Sequence, residues 1–327
     1  MKAAKTLIIG LVFSGQNICE GIAKILNSKY GDYKKAPWVG IRVLETAHKS
    51  DVLDKNDFIQ LSVDTSAFGD YISGAPHVGS GFGWNDWGDP ALLRNVGSCI
   101  NVGAGNIRMA GRLALYHNYA YVSGNITAEI DRIAKITPAE IQKCLDTKES
   151  IDIMSGAVNV YIVGSLCGGT GSGCCADMGY LVRIWGNNNV IPIGIFTLPH
   201  WSLQAQRLKK NAFMALTEIN HYMLDNCAWQ QKLPGFANAA TDMRRPYDIA
   251  YLTQPSTAMP DEITKNEYAI ASFLSAVCSE TSHDIAAANV DGINALATNR
   301  ELGYLRPSFS TFGTAVLEYP GEYMSRL

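Results

Sequence analysis

The segment Gly164-Ser165-Leu166-Cys167-Gly168-Gly169-Thr170-Gly171-Ser172-Gly173 carries the strongest chemical signal in the chain. It follows the apolar run Val158–Val163 and opens a helical pattern that places Cys175, Met178, Val182 and Trp185 on one face. Where a strand hands over to a helix, the first backbone N–H groups lack helical acceptors and the helix dipole adds positive potential. Such a junction suits an anion, phosphate above all. Glycine permits positive φ and close backbone approach, and Thr170 and Ser172 add hydroxyl donors. No G-K-[ST] follows, so this is not a Walker loop. Nor does it lie on the first strand–helix turn, where a dinucleotide fingerprint belongs. The competing reading is a turn whose glycines serve tight packing alone.

Two further glycine-bearing segments sit at similar junctions. One is Gly10 to Asn17, with Gly15, Gln16 and Asn17 at its end; the other is Gly103-Ala104-Gly105-Asn106. In a parallel sheet, strand–helix loops gather at the carboxyl edge, where ligands bind. Three of them there fit a polyphosphate touched from several sides.

The elements that must position these loops alternate regularly. Short apolar runs predict strands at Leu7–Leu11, Val39–Leu44, Phe58–Val63, Val158–Val163, Val190–Thr197, Tyr247–Leu252 and Phe309–Glu318. Helical patterns cover about 17–27, 107–119 and 126–149, the last broken near Thr137-Pro138. Leu208, Ala212, Leu216, Ile219 and Met223 mark a long amphipathic helix, and a helix over about 261–282 is apolar enough in its middle to be buried on most sides. The glycine-rich stretch 73–90, with Trp84 and Trp87, predicts a long loop or hairpin, and 225–246 reads as irregular. The alternation predicts an α/β fold, a parallel sheet covered on both faces.

Composition narrows the function classes. With 47% hydrophobic and 17% charged residues, the 327-residue chain can bury a large core. Thirty acids against 27 bases leave a net charge of -3 with no basic stripe, which argues against direct nucleic-acid binding. Eight scattered cysteines without a C-x-x-C pair read as a reduced, intracellular protein. No apolar stretch is long enough to span a membrane, and a cytoplasmic location is expected. The six histidines lack metal-ligand spacing, and no nucleophile elbow supports Ser-His-Asp chemistry. Cys167, Cys174 and Cys175 beside the glycine run read as small buried hydrophobes rather than redox centres.

Taken in order, these motifs resemble those of the tubulin/FtsZ superfamily, most nearly its divergent bacterial tubulin-like members. CGGTGSG after an apolar strand is similar to the family's signature loop. Asn101-Val-Gly103-Ala-Gly105-Asn106 with Gly111-Arg112 resembles its G-A-G-x-x-P-E-x-G-R segment, and Gly15-Gln16-Asn17 its first nucleotide loop. Phe58 to Thr65, ending Val63-Asp64-Thr65, is similar to the strand that runs into N-T-D. Thr197-Leu198-Pro199 with Arg207 resembles the ribose and phosphate segment, and Asn289-Val290-Asp291 the N-x-D loop. The resemblance implies a Rossmann-like GTPase domain over 1–260, a central buried helix over 261–288, and a catalytic-type loop plus the first strand of a truncated or reduced second domain over 289–327.

The same resemblance implies GTP/GDP on Gly15–Asn17, Gly103–Asn106 and Gly168–Gly173, with Mg2+ on the phosphates and Asp64 as its acid. Gln204 and Arg207 fall in the ribose segment, where Leu203 replaces a glutamate; Asn266 and Tyr268 are the nearest base-contacting candidates. Asp291, Asn289 and Asn294 form the catalytic-type loop, with Asn294 where a second acid is usual, and Val12-Phe13-Ser14 replaces glycines of the first loop. The implied function is a head-to-tail homopolymer whose GTP hydrolysis is completed across the subunit interface; accessory partners are not implied. The alternatives are a nucleotide-binding filament protein with little turnover, or a dinucleotide-dependent oxidoreductase, disfavoured by the missing G-x-G-x-x-G. Gly171→Val is expected to keep the fold and lose nucleotide.

Overall fold

The computed structural model describes residues 2–46, 50–74, 78–101, 103–145, 152–153, 156–187, 189–224, 227–242, 244–278 and 309–312. The strands are β1 (Lys2–Ala3), β2 (Thr6–Leu11), β3 (Val39–Glu45), β4 (Phe58–Gln60), β5 (Asp152–Ile153), β6 (Val158–Ser165), β7 (Val190–Thr197), β8 (Trp229–Gln231), β9 (Ala240–Asp242), β10 (Ile249–Thr253) and β11 (Phe309–Ser310). The helices are α1 (Val12–Tyr30), α2 (Thr65–Ser73), α3 (Trp84–Trp87), α4 (Pro90–Leu93) and α5 (Arg108–His117). They continue as α6 (Tyr119–Ala134), α7 (Pro138–Cys144), α8 (Gly169–Trp185), α9 (Gln206–Met223) and α10 (Pro260–Cys278).

Seven strands form one parallel sheet in the order β11-β10-β7-β6-β2-β3-β4. The expected α/β class is the one observed. Period-two alternation divides each central strand between two cores. Leu7, Ile9, Leu11, Val160 and Ile162 face the layer of α5, α6, α8 and α9. Ile8, Tyr161 and Val163 face the layer of α1 and α10, where Ile18, Ile22, Ile270 and Leu274 meet them.

This order sets the crevice. The β2–α1–β3 crossover runs one way along the sheet and β6–α8–β7 the other. Parallel crossovers share one hand, so opposite travel puts α1 and α8 on opposite faces. The carboxyl ends of β2 and β6 are adjacent, with Leu11 in register with Gly164. A crevice therefore opens at their switch point, the usual ligand position in such sheets.

Several local expectations are revised. Helix α1 starts at Val12, directly after β2, instead of near Asn17, so Gly15, Gln16 and Asn17 are helical rather than looped. Strand β4 stops at Gln60, and Val63 instead bridges Ile100. Residues 225–246, expected to be irregular, hold the antiparallel pair β8–β9, whose Trp229 stacks on Tyr180 with centroids 4.8 Å apart. The stretch 73–90 holds α3, and its Trp84 is a core side chain packed edge-on to Tyr71 and Trp87. The strand expected at Phe309–Glu318 is seen at Phe309–Ser310, with Thr311 and Phe312 outside it; positions 313–318 lie outside the described residues.

Candidate functional site

The β6–α8 junction is a short turn, Leu166-Cys167-Gly168. The Leu166 amide donates to Thr197 O at 3.1 Å and the Cys167 amide to Ser165 Oγ at 3.2 Å. No side chain caps α8, whose N-cap is Gly168, so the amides of Gly169, Thr170 and Gly171 have no helical acceptor. The dipole of a 17-residue helix adds to them. Backbone donors are thus left open at the junction the sequence singles out.

The reason for the glycines differs from the expected one. Gly168 has φ -75°, and no residue from 168 to 173 has positive φ. Close packing requires them instead. A Cβ on Gly169 would lie 2.7 Å from Ile107 N, while one on Gly171 would overlap the Ser165 carbonyl oxygen and one on Gly173 that of Arg108. From the other side, a Cβ on Gly111 would overlap Thr170 Cα. Helices α5 and α8 therefore touch backbone to backbone, and the packing reading holds for three of these glycines. Gly168 is the exception, because nothing lies within 4 Å of its Cβ position. Ser172 also departs from its expected role, since its hydroxyl turns inward to the Gly168 carbonyl. The idea that Gly171→Val would keep the fold is overturned by the Ser165 overlap.

Positive φ is used in the Gly103–Asn106 loop. Gly103 stands at φ 110°, Gly105 at 58° and Asn106 at 57°. Ala104 is buried beneath them, and its carbonyl accepts from Ile107 N at the start of α5. This left-handed turn brings the α5 N-terminus against that of α8.

At the β2–α1 junction there is no loop. Val12 takes φ 52°, a left-handed conformation unfavourable for a β-branched residue, and this turns the chain straight into the helix. Gly10 and Gly15 pack so closely that a Cβ on Gly15 would lie 2.6 Å from Gly10 C. Gln16 is buried, and its amide donates to Glu20 at 2.9 Å. Ser14 Oγ and Asn17 Nδ2 donate to the two carboxylate oxygens of Glu267, at 2.6 and 2.9 Å. Glu267 is only 4% exposed, and burial raises its pKa above the ordinary 4.5 against the lowering effect of those two hydrogen bonds.

A tubulin-like family profile matches residues 7–327. The chain belongs to the tubulin-like family. No curated protein matches it. Among solved structures it is similar to CetZ from Methanosaeta thermophila, at 14% identity over 86% of this chain and 56% of that one, with a TM-score of 0.48. It is also similar to CetZ2 from Haloferax volcanii in a GTPγS-bound protofilament, at 12% identity over 92% and 73% of the two chains and a TM-score of 0.45. A mutant FtsZ from M. jannaschii follows, at 13% identity over 85% and 58%, with a TM-score of 0.43. The tubulin-like chain thus spans little more than half the length of the first of these.

The remaining candidates of this tubulin-like chain are scattered. Asn266 reaches the ends of β7 and β10, its Nδ2 lying 3.3 Å from Thr197 Oγ1 and 3.2 Å from Thr253 Oγ1. Tyr268 is exposed, and between these two the missed residue Glu267 turns toward α1. Gln204 donates to Ser202 O within its own turn. Arg207 lines a cavity of about 540 Å³ behind the glycine loops, together with Asn106, Gly173 and Asn211. Trp87 walls that cavity, with the Arg112 guanidinium 4.6 Å over its ring and paired to Asp177.

Asp64 caps α2, accepting from Ala67 N at 2.8 Å beyond the edge strand β4. Strand β4, which ends four residues before Asp64, is two strands from β2 in the sheet order. Glu45, one position past Leu44, the register partner of Leu11, is buried, and its Oε1 accepts from Thr46 N at 2.6 Å. Asn289, Asp291 and Asn294 lie outside the described residues. Burial pushes the Cys174 thiol up and that of Cys175 up to about 12, which suits packing and not nucleophilic chemistry.

Proposed function

We propose that this protein binds GTP in the crevice between β2 and β6, assembles head to tail, and completes hydrolysis across the subunit junction. The observation that carries the reading is the pairing of two different helix starts on one crevice. The uncapped start of α8, with Gly168 open, suits the phosphates. The start of α1 presents a buried carboxylate, Glu267, tied to Ser14 and Asn17. The Watson–Crick edge of guanine offers two adjacent N–H donors, which a carboxylate accepts together; adenine presents a different pattern. Glu267 therefore joins Asn266 and Tyr268 as a candidate for reading guanine.

Magnesium usually stays largely hydrated and rides on nucleotide phosphates with one or two carboxylates. Asp64, at the start of α2, is the acid expected in that role, and Glu45, at the end of the strand beside β2, is a second candidate. Two aromatic side chains near the crevice edge, Phe13 at 59% and Trp201 at 77% exposure, are available for burial by a second subunit. The junction would be completed by Asn289, Asp291 and Asn294 of the next copy, an open, heterologous contact of the kind that builds filaments.

The test combines three measurements on the purified protein: the nucleotide released on denaturation, pelleting with GTP, and phosphate release during assembly. Guanine nucleotide, concentration-dependent pelleting and turnover lost in Asp291→Ala are expected. Pelleting without turnover would favour the filament protein with little hydrolysis, a reading that Asn294 at the acid position supports. A bound nicotinamide or flavin would overturn both.

A further inference from the structure

Helix α9 reaches both glycine loops from behind. Its Asn211 is 8% exposed, and one amide nitrogen, Nδ2, donates to Asn106 O and to Cys167 O, each at 2.9 Å. The first carbonyl belongs to the left-handed turn before α5, the second to the turn before α8. Two helical turns further along, Glu218 takes the Arg108 guanidinium, with Nη1 to Oε1 at 3.0 Å. Arg108 in turn donates to Ser172 O through Nη2 at 3.0 Å and Nε at 3.3 Å. Two points on one face of α9 thus fasten the start of α5 to the first turn of α8. Arg207, one turn before Asn211, lines the same cavity.

The chemistry is specific to an amide at position 211. Its NH2 group has two protons, one for each carbonyl, which no hydroxyl offers and a carboxylate would replace with repulsion. Truncation leaves two sheltered carbonyls short of a donor, the costly kind of loss. The affected atoms are backbone atoms of the two loops, so their relative position changes before any core packing does.

We propose that Asn211 is a positioning residue for phosphate binding: with the Arg108–Glu218 pair it sets the spacing of the Gly103–Asn106 and Leu166–Gly168 loops. This rests on the crevice being the nucleotide site.

The test uses Asn211→Ala, Asn211→Asp and Glu218→Gln, with Ile219→Val as a control that loses core packing on the same helix without touching either loop. GTP and GDP dissociation constants, KM against kcat, and amide exchange at Ile107 and Ser172 in nucleotide-free protein are measured. Asn211→Ala is expected to weaken GTP about tenfold, the loss of roughly 1.4 kcal/mol. KM should rise more than kcat falls, and both amides should exchange faster than in an Ile219→Val protein of similar melting temperature. Asn211→Asp should be at least as weak. Glu218 is half exposed, so Glu218→Gln should fold and lose GTP about twofold to threefold.

Parental GTP affinity in Asn211→Ala, or exchange no faster than in the control, overturns the proposal. If Asn211→Ala does not fold, Glu218→Gln decides: unchanged affinity and unchanged Ser172 exchange overturn it. If the parent itself binds no nucleotide, the crevice reading fails, while the exchange data still decide whether the clamp sets the loops.

Discussion

The two strand–helix junctions at the switch point solve the same topological problem in opposite ways. At β6–α8 a three-residue turn separates strand from helix, and the amides that face the crevice are left without side-chain caps. At β2–α1 there is no turn at all; Val12 takes the left-handed conformation and the helix starts at once. The first junction presents backbone, the second side chains. On the proposed reading, the backbone amides would take phosphate without regard to the base, and the hydrogen-bonded group of Ser14, Asn17 and Glu267 would read one. Glycine richness alone does not separate these roles, because Gly10 and Gly15 pack as tightly as Gly169 and Gly171.

The comparison breaks most visibly if the packed glycines are disturbed. In Gly173→Val the new Cβ would overlap the Arg108 carbonyl, which is backbone and cannot move aside. We expect a stability loss of about 3 kcal/mol or more, read from the urea midpoint, beyond the usual range for overpacking. A parental midpoint would mean that α5 and α8 are not in backbone contact.

Glu267→Gln sharpens the other side. It replaces one acceptor oxygen by a donor, so guanine affinity should fall about tenfold to a hundredfold, at ~1.5–3 kcal/mol for a hydrogen bond to a charged group. Titration with GTP and ATP measures it, and equal loss for both bases would count against base reading. Stability should move the other way. A carboxyl whose folded pKa lies above 4.5 holds its proton longer in the folded state, so stability falls as pH rises from about 4.5 to the folded value and is flat beyond. Glu267→Gln should remove that decline in thermal melts across the acid range. A variant with the parent's slope would show that this carboxyl does not cause it.

A smaller effect is expected for Gly168→Ala. Its φ suits any residue and its Cβ position is empty, so the unfolding free energy should stay within the ~0.5 kcal/mol typical of surface changes. GTP should nevertheless bind a few-fold more weakly, because the methyl enters the approach to the helix start. Unchanged binding would move the phosphates elsewhere.

Val12→Gly should have the least effect. Relief of the left-handed strain, of order 1–2 kcal/mol, is offset by glycine's added unfolded-state freedom and by a lost half-buried side chain. A net change under about 1 kcal/mol in chemical denaturation is expected; a loss above ~2 kcal/mol would show that the Val12 side chain matters more than its backbone.

Much of this was legible in the chain. Apolar runs of strand length separated by amphipathic stretches specify a parallel sheet, because both faces of each strand must be buried. The Gly164–Gly173 run after the strongest such run marked the α8 junction by position and composition. Composition does not separate the two uses of these glycines, since phosphate contact and helix crossing both ask for the absence of a side chain. Asp64 follows from a local string, Val63-Asp64-Thr65, whereas only strand order puts Glu45 at the end of the strand beside β2. Trp229 looked like part of an irregular stretch because β8 and β9 are three residues each, too short for a periodic signal.

The sequence by itself determined the class of fold, the order of its elements and the glycine-rich segments at the strand–helix junctions, since hydrophobic period and glycine clusters are local properties. Only the tertiary structure decided which groups meet at the crevice. Glu267 lies 253 positions from Ser14 and Asn211 lies 105 from Asn106. Their contacts arise from opposite directions of travel along the sheet by crossovers of one hand, which puts α1 with α10 on one face and α8 with α9 on the other. A polar residue on a buried helix has no local pattern to announce its partner. Its role is fixed by the donor or acceptor that packing places opposite it, because a buried polar group must find one.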